Sequence, residues 1–392
     1  MKIKRIIKAA AVTLICVTIS GAFASCSDRN GADSSSESSQ PEKKLTYERP
    51  EPSVKIETQP ISLDFSKKGA PSVAANEKGE HEDFTEYSGW MSTDFVDISA
   101  YVALRYELAA RYNMYSIAFY DKDKRFIDGI ATESVCDLTT VCGHTEVPDG
   151  AVYARFCGFV GSNGYKIPVD TAFVEGFTDS ETYAEYKDSL PYGELKILCI
   201  GDSLTEGDYG TPTSGTADKR YKNYPYFLSK LFDCETVNQG RCGINCVDYD
   251  KLYGSAINAK DADVVLIMLG TNGGMTLNGN ETQKTGYMGL IMQVQADMKE
   301  GAKLVLITPP HATETEGKVN YGYNPNAENA AETVREMAER FDTYLIDAYK
   351  DGPIQADKED IYQPVDGLHL SEEGYKALAS FIAAQLDEIL KK

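Results

Sequence analysis

The C-terminal half of the sequence alternates apolar segments with helix-like segments, and this pattern constrains the fold more than any other feature. Continuous apolar strands that alternate with helices are typical of a mostly parallel sheet covered on both faces. We therefore predict an α/β domain over residues 187–392. Its predicted strands are 195–200, 235–238, 263–270, 303–310 and 343–349, and its predicted helices are 224–232, 284–300, 326–341 and 371–392.

The sequence before this domain has a different rhythm. Between about residues 83 and 177, apolar and polar residues alternate with a period of two, and "DKDK" separates two such runs as a hairpin turn would. This pattern predicts a small antiparallel β-sandwich, jelly-roll-like, over residues 56–186. "TDSETYAEYKDSLPYGE", residues 178–194, is predicted to link this region to the α/β domain. The single tryptophan, Trp90, lies near its start. Trp90 is either a core residue or a stacking surface for a sugar.

The N-terminus has the form of an export signal. A basic start, "MKIKRIIK", precedes a short apolar run, so residues 1–25 are predicted to be a signal peptide. "FASC" resembles the bacterial lipobox, which predicts lipidation of Cys26, although simple cleavage would leave Cys26 as a thiol. Residues 26–55 are Ser-rich and polar, and they predict a disordered tether. We expect an exported cell-surface lipoprotein, or otherwise a secreted protein, that meets the membrane only through its lipid.

Charge and cysteine content narrow the classes of partner. The formal net charge is −21, and removing the four basic residues of the signal peptide, which carries no acid, takes it to −25. A surface this acidic argues against nucleic acid and other polyanions as partners. Few histidines and no CxxC spacing argue against a metal site, so no metal or other cofactor is expected. Disulfides remain open, with Cys234 to Cys242 or Cys246, or Cys136 to Cys142, as candidates.

Chemically useful residues follow the predicted strands. Ligands of such sheets bind beyond the carboxyl ends of the strands. "GDS" follows the first strand, "NQG" the second and "GTN" the third, while "DGLH" precedes the last helix. These blocks place five residues at one edge of the sheet: Ser203, Gly240, Asn272, Asp366 and His369.

This set is suited to nucleophilic catalysis. A serine hydroxyl needs a base to take its proton, and His369 is a suitable base near neutral pH. Asp366 can orient the imidazole and stabilise its charged form. The oxyanion formed on an attacked ester carbonyl would be bound by the N–H groups of Ser203 and Gly240 and by the side-chain amide of Asn272.

With these four blocks in order, the sequence resembles the SGNH (GDSL-type) hydrolases over about residues 194–392. The resemblance implies a flavodoxin-like three-layer α/β/α fold and ester hydrolysis without a cofactor. The third block departs from the family's usual "GTND", because Gly273 replaces the aspartate. This change affects the rigidity of the loop that carries Asn272 and the position of the Asn272 side chain.

A sandwich before such a domain is similar to the arrangement in exported bacterial carbohydrate esterases. The predicted function is therefore removal of O-acyl, above all O-acetyl, groups from polysaccharides or oligosaccharides. The alternatives are a lipid or peptidoglycan O-acyl esterase, or a non-catalytic glycan-binding surface protein. His311, which follows the fourth strand, is a candidate substrate contact and a rival base.

Two other nucleotide- or ester-binding patterns are excluded by spacing. "GDSLTEGD" lacks the spacing and the lysine of a P-loop. A lipase-type nucleophile elbow needs glycine two residues after the serine, where Thr205 stands.

Overall fold

A computed structural model describes residues 46–50, 57–76, 80–161, 169–210, 221–255, 257–273 and 281–392. The predicted signal peptide, Cys26 and most of the predicted tether lie outside these residues. Within them, the predicted fold class is confirmed: an α/β domain follows an antiparallel β-domain.

A five-stranded parallel sheet forms the centre of the α/β domain. Its strand order, β14-β13-β15-β16-β17, is the flavodoxin-like 2-1-3-4-5 arrangement. The strands are β13 (Lys196–Gly201), β14 (Glu235–Gly240), β15 (Val264–Met268), β16 (Lys303–Ile307) and β17 (Tyr344–Ile346). The helices are α2 (Ser203–Glu206), α3 (Tyr224–Phe232), α4 (Cys246–Leu252), α5 (Glu281–Asp297), α6 (Asn324–Arg340), α7 (Glu359–Tyr362) and α8 (Glu372–Leu390).

Both faces of this sheet are buried, as its continuous apolar strands require. Successive residues of β13 point to opposite faces, so Cys199 enters one core and Leu198 the other. The first core is completed by α3 and α8, and the second by α4, α5 and α6. The inner strands thus have no solvated face, whereas Leu345 of the edge strand β17 is 37% exposed. Polar residues lie at the carboxyl ends of the strands, where the site forms.

Local sequence accounts for the helix boundaries. Asn223 caps α3 by accepting the Tyr226 N–H, and Ser371 caps α8 by accepting the Gly374 N–H. The predicted helix 224–232 has the observed bounds of α3, and the other three predicted helices match within a few residues. The predicted third, fourth and fifth strands were too long, since they extend past the ends of β15, β16 and β17, and the predicted second strand was too short, since β14 continues to Gly240.

The β-domain contains two main antiparallel sheets, ordered β1-β12-β7-β10 and β2-β5-β11-β8-β9, with β6 beside β11. A further pair, β3-β4, lies apart from them. The predicted hairpin is the β8-β9 pair. The strands are β1 (Gln59–Pro60), β2 (Lys67–Lys68), β3 (Ala70–Pro71), β4 (Asp83–Phe84), β5 (Trp90–Ser92), β6 (Val96–Asp97), β7 (Ala103–Ala110), β8 (Tyr115–Tyr120), β9 (Phe126–Ala131), β10 (Thr139–Glu146), β11 (Tyr153–Phe159) and β12 (Phe173–Phe177).

Two segments near the predicted domain boundaries differ from expectation. Residues 178–194, predicted as a linker, contain α1 (Ser180–Asp188), whose Tyr183 and Tyr186 pack with Phe177 of the β-domain. The predicted boundary after residue 186 therefore falls inside a helix. Residues 46–50, at the end of the predicted disordered tether, pack on the α/β domain, because Tyr47 is 6% exposed and contacts the Phe232 ring.

Neither candidate disulfide is formed. Cys142 and Cys234 are both thiols, so the predicted pairings that involve them are absent. Cys234 is a thiol and not half of a disulfide because it is buried in the apolar core of the α/β domain. Across the described ranges, no helix is both long and apolar enough to cross a membrane.

Candidate active site

The five residues predicted to act together all lie at the carboxyl edge of the parallel sheet. Ser203 begins α2 directly after β13, Gly240 ends β14, and Asn272 follows β15. Asp366 and His369 lie in the segment between α7 and α8. Parallel strands bring their carboxyl ends to one edge. The segment between α7 and α8 returns to that edge, so His369 meets Ser203 although they are 166 positions apart.

The turn that carries Ser203 is fixed by its two neighbours. Asp202, and not Ser203, is the cap of α2, since its carboxylate accepts the Leu204 N–H at 3.0 Å. The Ser203 hydroxyl is therefore not used as a helix cap. Gly201 is required by packing, because a Cβ there would lie 1.9 Å from Thr205 Oγ1. The three letters "GDS" thus encode a close-packed turn that presents one hydroxyl.

A chain of short hydrogen bonds joins Ser203, His369 and Asp366. The Ser203 hydroxyl lies 2.8 Å from His369 Nε2, and His369 Nδ1 lies 2.7 Å from Asp366 Oδ2. The other carboxylate oxygen, Oδ1, accepts the backbone N–H groups of Leu368 and His369 at 3.0 and 2.9 Å. This arrangement fixes the tautomer with a proton on Nδ1, so Nε2 is free to accept the serine proton.

The charges of the site favour a strongly basic imidazole. Burial by itself lowers the pKa of His369, but the hydrogen bond to Asp366 and the negative charges of Asp208, Asp366 and Asp202 outweigh it and raise this pKa above its ordinary value. Burial raises the pKa of Asp366, but the bonds from His369 and Leu368 hold it below its usual range. Asp366 therefore stays ionised while His369 changes charge.

Asp202 has a different electrostatic environment from Asp366. Burial raises the pKa of its carboxyl to about 6, although the Leu204 N–H and His369 both oppose the increase. Asp202 has a structural role in the turn, and when it is ionised its charge adds to the negative electrostatic field around His369.

Two of the three predicted oxyanion donors keep an N–H group that no described hydrogen bond uses. The Ser203 N–H lies in the first turn of α2, where backbone N–H groups have no intrahelical acceptor. The Asn272 amide nitrogen donates one hydrogen to Ile244 O at 3.1 Å, which fixes the side chain and leaves its second N–H for a ligand. Gly273, in place of the family's aspartate, has a left-handed φ of 80° that glycine adopts without strain.

The third predicted donor, Gly240, is engaged in another bond. Its N–H donates to Asn238 Oδ1 at 2.8 Å, so binding an oxyanion requires that bond to be shared or broken. Because glycine has no side chain, a glycine at position 240 would let a substrate approach the backbone closely. The structure gives another reason, since a Cβ on Gly240 would lie 2.1 Å from the Glu206 N.

A segment of the β-domain forms hydrogen bonds with β14, the strand that ends at Gly240. The sequence did not predict this contact. The Ser134 hydroxyl accepts the Asn238 N–H at 2.8 Å, and the Val135 N–H donates to Asn238 O at 3.1 Å. The Asn238 side chain in turn donates to Thr205 O at 2.8 Å. A β-domain segment thus covers the open edge of β14 and supports the turn beside Ser203.

The rival base, His311, is not joined to Ser203. Its ring stacks on Tyr349 with centroids 4.3 Å apart and planes 13° from parallel. Burial lowers its pKa, which favours the neutral ring. Its role as a substrate contact remains a prediction.

The sequence also missed Asp208, five residues after Ser203. Its Oδ2 lies 3.8 Å from His369 Nε2, and its side chain is almost fully buried. The only sequence signal was a third acidic residue in the "GDSLTEGD" stretch. Nothing in that stretch shows that the chain turns back after α2 to bring this carboxylate to the imidazole.

Two further sequence hypotheses concern residues outside the crevice. Trp90 is 1% exposed and packs against Phe159, so it is a core residue of the β-domain and not a stacking surface for a sugar. No group of three or more His, Cys, Asp or Glu side chains in the described part of the chain could hold a metal ion.

Comparison with known proteins finds one family model and several solved structures that are similar to part of this chain. Residues 199–377 match the model of the GDSL-like lipase/acylhydrolase family. Among solved structures, a carbohydrate acetylesterase family member from Sinorhizobium meliloti is 20% identical, with a TM-score of 0.40, over 50% of this chain and 100% of that chain. The aryl esterase of M. smegmatis is 18% identical, with a TM-score of 0.39, over 50% of this chain and 99% of that chain. No curated protein matches the sequence.

Proposed function

Because residues 199–377 form a domain of the GDSL-like lipase/acylhydrolase family, we propose that the protein is a serine esterase that hydrolyses O-acyl esters through an acyl-enzyme on Ser203. The observation that carries this proposal is the chain of hydrogen bonds from Ser203 through His369 to Asp366, at 2.8 and 2.7 Å. Both distances are within hydrogen-bonding range before any substrate is bound.

In the first half-reaction, the Ser203 oxygen attacks the ester carbonyl carbon while its proton moves to His369 Nε2. The carbonyl oxygen becomes an oxyanion and is bound by the Ser203 N–H and the Asn272 amide. When the tetrahedral intermediate collapses, the imidazolium gives its proton to the departing alcohol oxygen. The acyl group remains on Ser203.

In the second half-reaction, water takes the place of the alcohol. His369 Nε2 accepts a proton from the water as its oxygen attacks the acyl carbonyl. Collapse of the second intermediate returns that proton to the Ser203 oxygen and releases the acid. Asp366 stays ionised in both halves and balances the charge that forms on the imidazole.

For the substrate, we propose O-acetyl groups on neutral polysaccharides or oligosaccharides. The net charge of −21 supports this choice, because it disfavours binding of anionic polymers. On the same ground, acetylated xylan and mannan are better candidates than acetylated pectin. The competing substrates are the O-acyl esters of lipids and of peptidoglycan.

The reaction is tested with a chromogenic acetate ester and the Ser203→Ala variant. We expect hydrolysis by the wild type and a loss of at least about 10³-fold in kcat/KM in the variant, because the nucleophile is removed. Wild type and variant that hydrolyse the ester at the same slow rate would show that the protein is not a serine esterase.

The substrate class is tested by acetate release from acetylated xylan, mannan and pectin, compared with acetylated peptidoglycan and a long-chain lipid ester. We expect the neutral glycans to be hydrolysed fastest. A preference for the lipid ester or for peptidoglycan, or no preference among the substrates, would exclude the neutral-glycan proposal without affecting the esterase proposal.

We further propose that the protein is exported and attached to a bacterial membrane by a lipid on Cys26. Support for this comes from the N-terminal sequence alone, "MKIKRIIK" and "FASC". Expression of the full chain and of Cys26→Ser in a bacterium tests it. We expect the wild type in the membrane fraction and the variant in the soluble exported fraction, and equal partitioning of the two would contradict the proposal.

A further inference from the structure

The His369 ring faces two carboxylates from opposite sides. Asp366 Oδ2 lies 2.7 Å from Nδ1, and Asp208 Oδ2 lies 3.8 Å from Nε2. Nε2 is also the atom that the Ser203 hydroxyl contacts at 2.8 Å. Asp208 therefore faces the nitrogen that gains and loses the proton in the proposed reaction.

Several contacts hold Asp208 in this position. Its Oδ1 accepts the Gly210 N–H at 2.9 Å, and its backbone N–H donates to Ser203 O at 3.0 Å. Its carbonyl oxygen accepts the Tyr375 hydroxyl at 2.7 Å. The Cys242 thiol lies 3.6 Å from Oδ2, close enough for a weak bond. With its side chain 3% exposed, Asp208 is fixed by the fold and does not extend into solvent.

In the described part of the chain, hydrogen bonds from Gly210 and Cys242 offset the burial of this carboxylate, but no lysine or arginine does. Within the described residues, Asp208 forms no ion pair with lysine or arginine, and its one potential cationic partner is His369. A buried carboxylate without a cation destabilises the folded state. That cost is recovered when the imidazole becomes positively charged, which in the proposed reaction happens at both tetrahedral intermediates.

From this geometry, we propose that Asp208 is a positioning residue that stabilises the imidazolium form of His369 together with Asp366. The inference rests on the proposed serine-esterase function. It involves no covalent change at Asp208, because the proton still moves from Ser203 to Nε2 and then to the leaving alcohol.

The distance between Asp208 and Nε2 suits this role. Hydrogen bonds between charged groups are about 2.7–2.9 Å long, so a separation of 3.8 Å leaves Nε2 free to bond to Ser203 and later to the leaving oxygen. The Coulombic attraction is still large over this distance in a partly buried site. A carboxylate in direct contact with Nε2 would instead compete for the proton.

The titratable groups that face His369 come from two segments. Asp366 lies on its own segment, and Asp202 and Asp208 lie on the segment around Ser203. Cys242, on the loop after β14, contacts the Asp208 carboxylate through its thiol. Removing the Asp208 charge should thus make His369 less basic while Asp366 and Asp202 still act on it.

The Asp208→Asn variant tests the inference, because asparagine keeps the size of the side chain and an oxygen for the Gly210 N–H. With 4-nitrophenyl acetate, we expect the acid limb of the kcat/KM profile to move to lower pH by about one pH unit. On the alkaline plateau we expect kcat to fall about tenfold, with KM nearly unchanged, because an interaction made in the transition state is lost.

Glu206→Gln is the matched control. It removes one negative charge from α2, but the Glu206 carboxylate accepts from the Cys242 N–H and is not among the groups with the largest effects on the His369 pKa. Its acid limb should stay at the wild-type pH. Cys242→Ala is a second variant that keeps Asp208 and removes the thiol donor, and its acid limb should move to higher pH.

An acid limb that keeps the wild-type position in both Asp208→Asn and Cys242→Ala would overturn the inference. The same conclusion follows if Asp208→Asn does not fold and Cys242→Ala leaves the limb unmoved. In either case, Ser203-dependent hydrolysis by the wild type would leave the proposed function intact. If the wild type shows no Ser203-dependent hydrolysis, the proposed function itself fails.

Discussion

At Ser203, a neighbouring residue caps the helix, and a tertiary contact provides the partner of the hydroxyl. The helix cap is supplied by Asp202, which leaves the neighbouring hydroxyl to His369. A serine at the start of a helix is an ordinary cap when considered alone. The contact at 2.8 Å with an imidazole from a distant segment is what distinguishes this serine.

The raised pKa of His369 predicts the pH dependence of the reaction. The base must be neutral to accept a proton, and a raised pKa keeps it protonated to a higher pH than an ordinary histidine. We therefore expect kcat/KM to rise with pH through a midpoint above about 6.5, the ordinary value for histidine. The measurement is a pH profile of the wild type with a chromogenic acetate ester.

Asp366→Asn provides the comparison for this profile. Loss of the carboxylate that fixes the tautomer should lower kcat by about 10³- to 10⁴-fold. A wild-type midpoint below about 6 would mean that the negative groups around the ring do not outweigh its burial.

At the scale of elements, the site depends on how α2 packs against β14. The backbone of α2 lies directly over Gly240, where a Cβ would meet the Glu206 N at 2.1 Å. Asn238 connects the same two elements through its bond to Thr205 O. The position of Ser203 therefore depends on a strand that carries none of the three residues of the proton-transfer chain.

This packing predicts a large effect of Gly240→Ala. The added methyl cannot be accommodated without moving α2, so we expect the free energy of unfolding to fall by about 1–3 kcal/mol and kcat to fall with it. Urea denaturation and steady-state kinetics measure the two effects.

Gly243→Ala, in the loop after β14, is the control for Gly240→Ala. It introduces backbone strain without the steric clash of an added methyl group. Its φ of 74° disfavours alanine, but a Cβ there would meet nothing within 4 Å. Backbone strain alone should cost about 1 kcal/mol and leave kcat largely unchanged. Equal losses of kcat in the two variants would contradict the packing argument.

At the scale of the whole molecule, the β-domain and the α/β domain share buried polar contacts. Glu107 of β7 is 1% exposed, accepts the Tyr226 hydroxyl at 2.8 Å and pairs with Lys230 of α3. The segment around Ser134 covers the edge of β14 at a second place. These contacts link the support of the active site to the fold of the β-domain.

We therefore expect the described domains to unfold in one cooperative transition. Glu107→Ala leaves Tyr226 and Lys230 without their acceptor and should lower the free energy of unfolding by about 2 kcal/mol. Asp123→Ala, in an exposed turn, should change it by less than about 0.5 kcal/mol. Calorimetry that resolves two separate transitions in the wild type would contradict this coupling.

Much of the architecture could be predicted because it depends on local patterns. The apolar strands that alternate with helices specified the parallel sheet, and the period-two segments specified the antiparallel one. The sequence did not predict the packing of segments that are buried by residues far away along the chain. Tyr183 and Tyr186 turn a predicted linker into a packed helix, and Tyr47 fixes part of a predicted tether, because each ring finds an apolar surface far along the chain.

By itself, the sequence determined which residues end the strands of the parallel sheet, and so it placed Ser203 and Asn272 at one edge. It could do this because parallel strands share a direction, and a strand and its end are local features. It also showed that the block with Asp366 and His369 lies just before the last helix. Only the tertiary structure decided that Gly240 supports α2, that Ser134 covers β14 and that Asp208 faces His369. Those contacts join segments of different domains or follow a turn in the chain, and their distances depend on packing that no local pattern encodes.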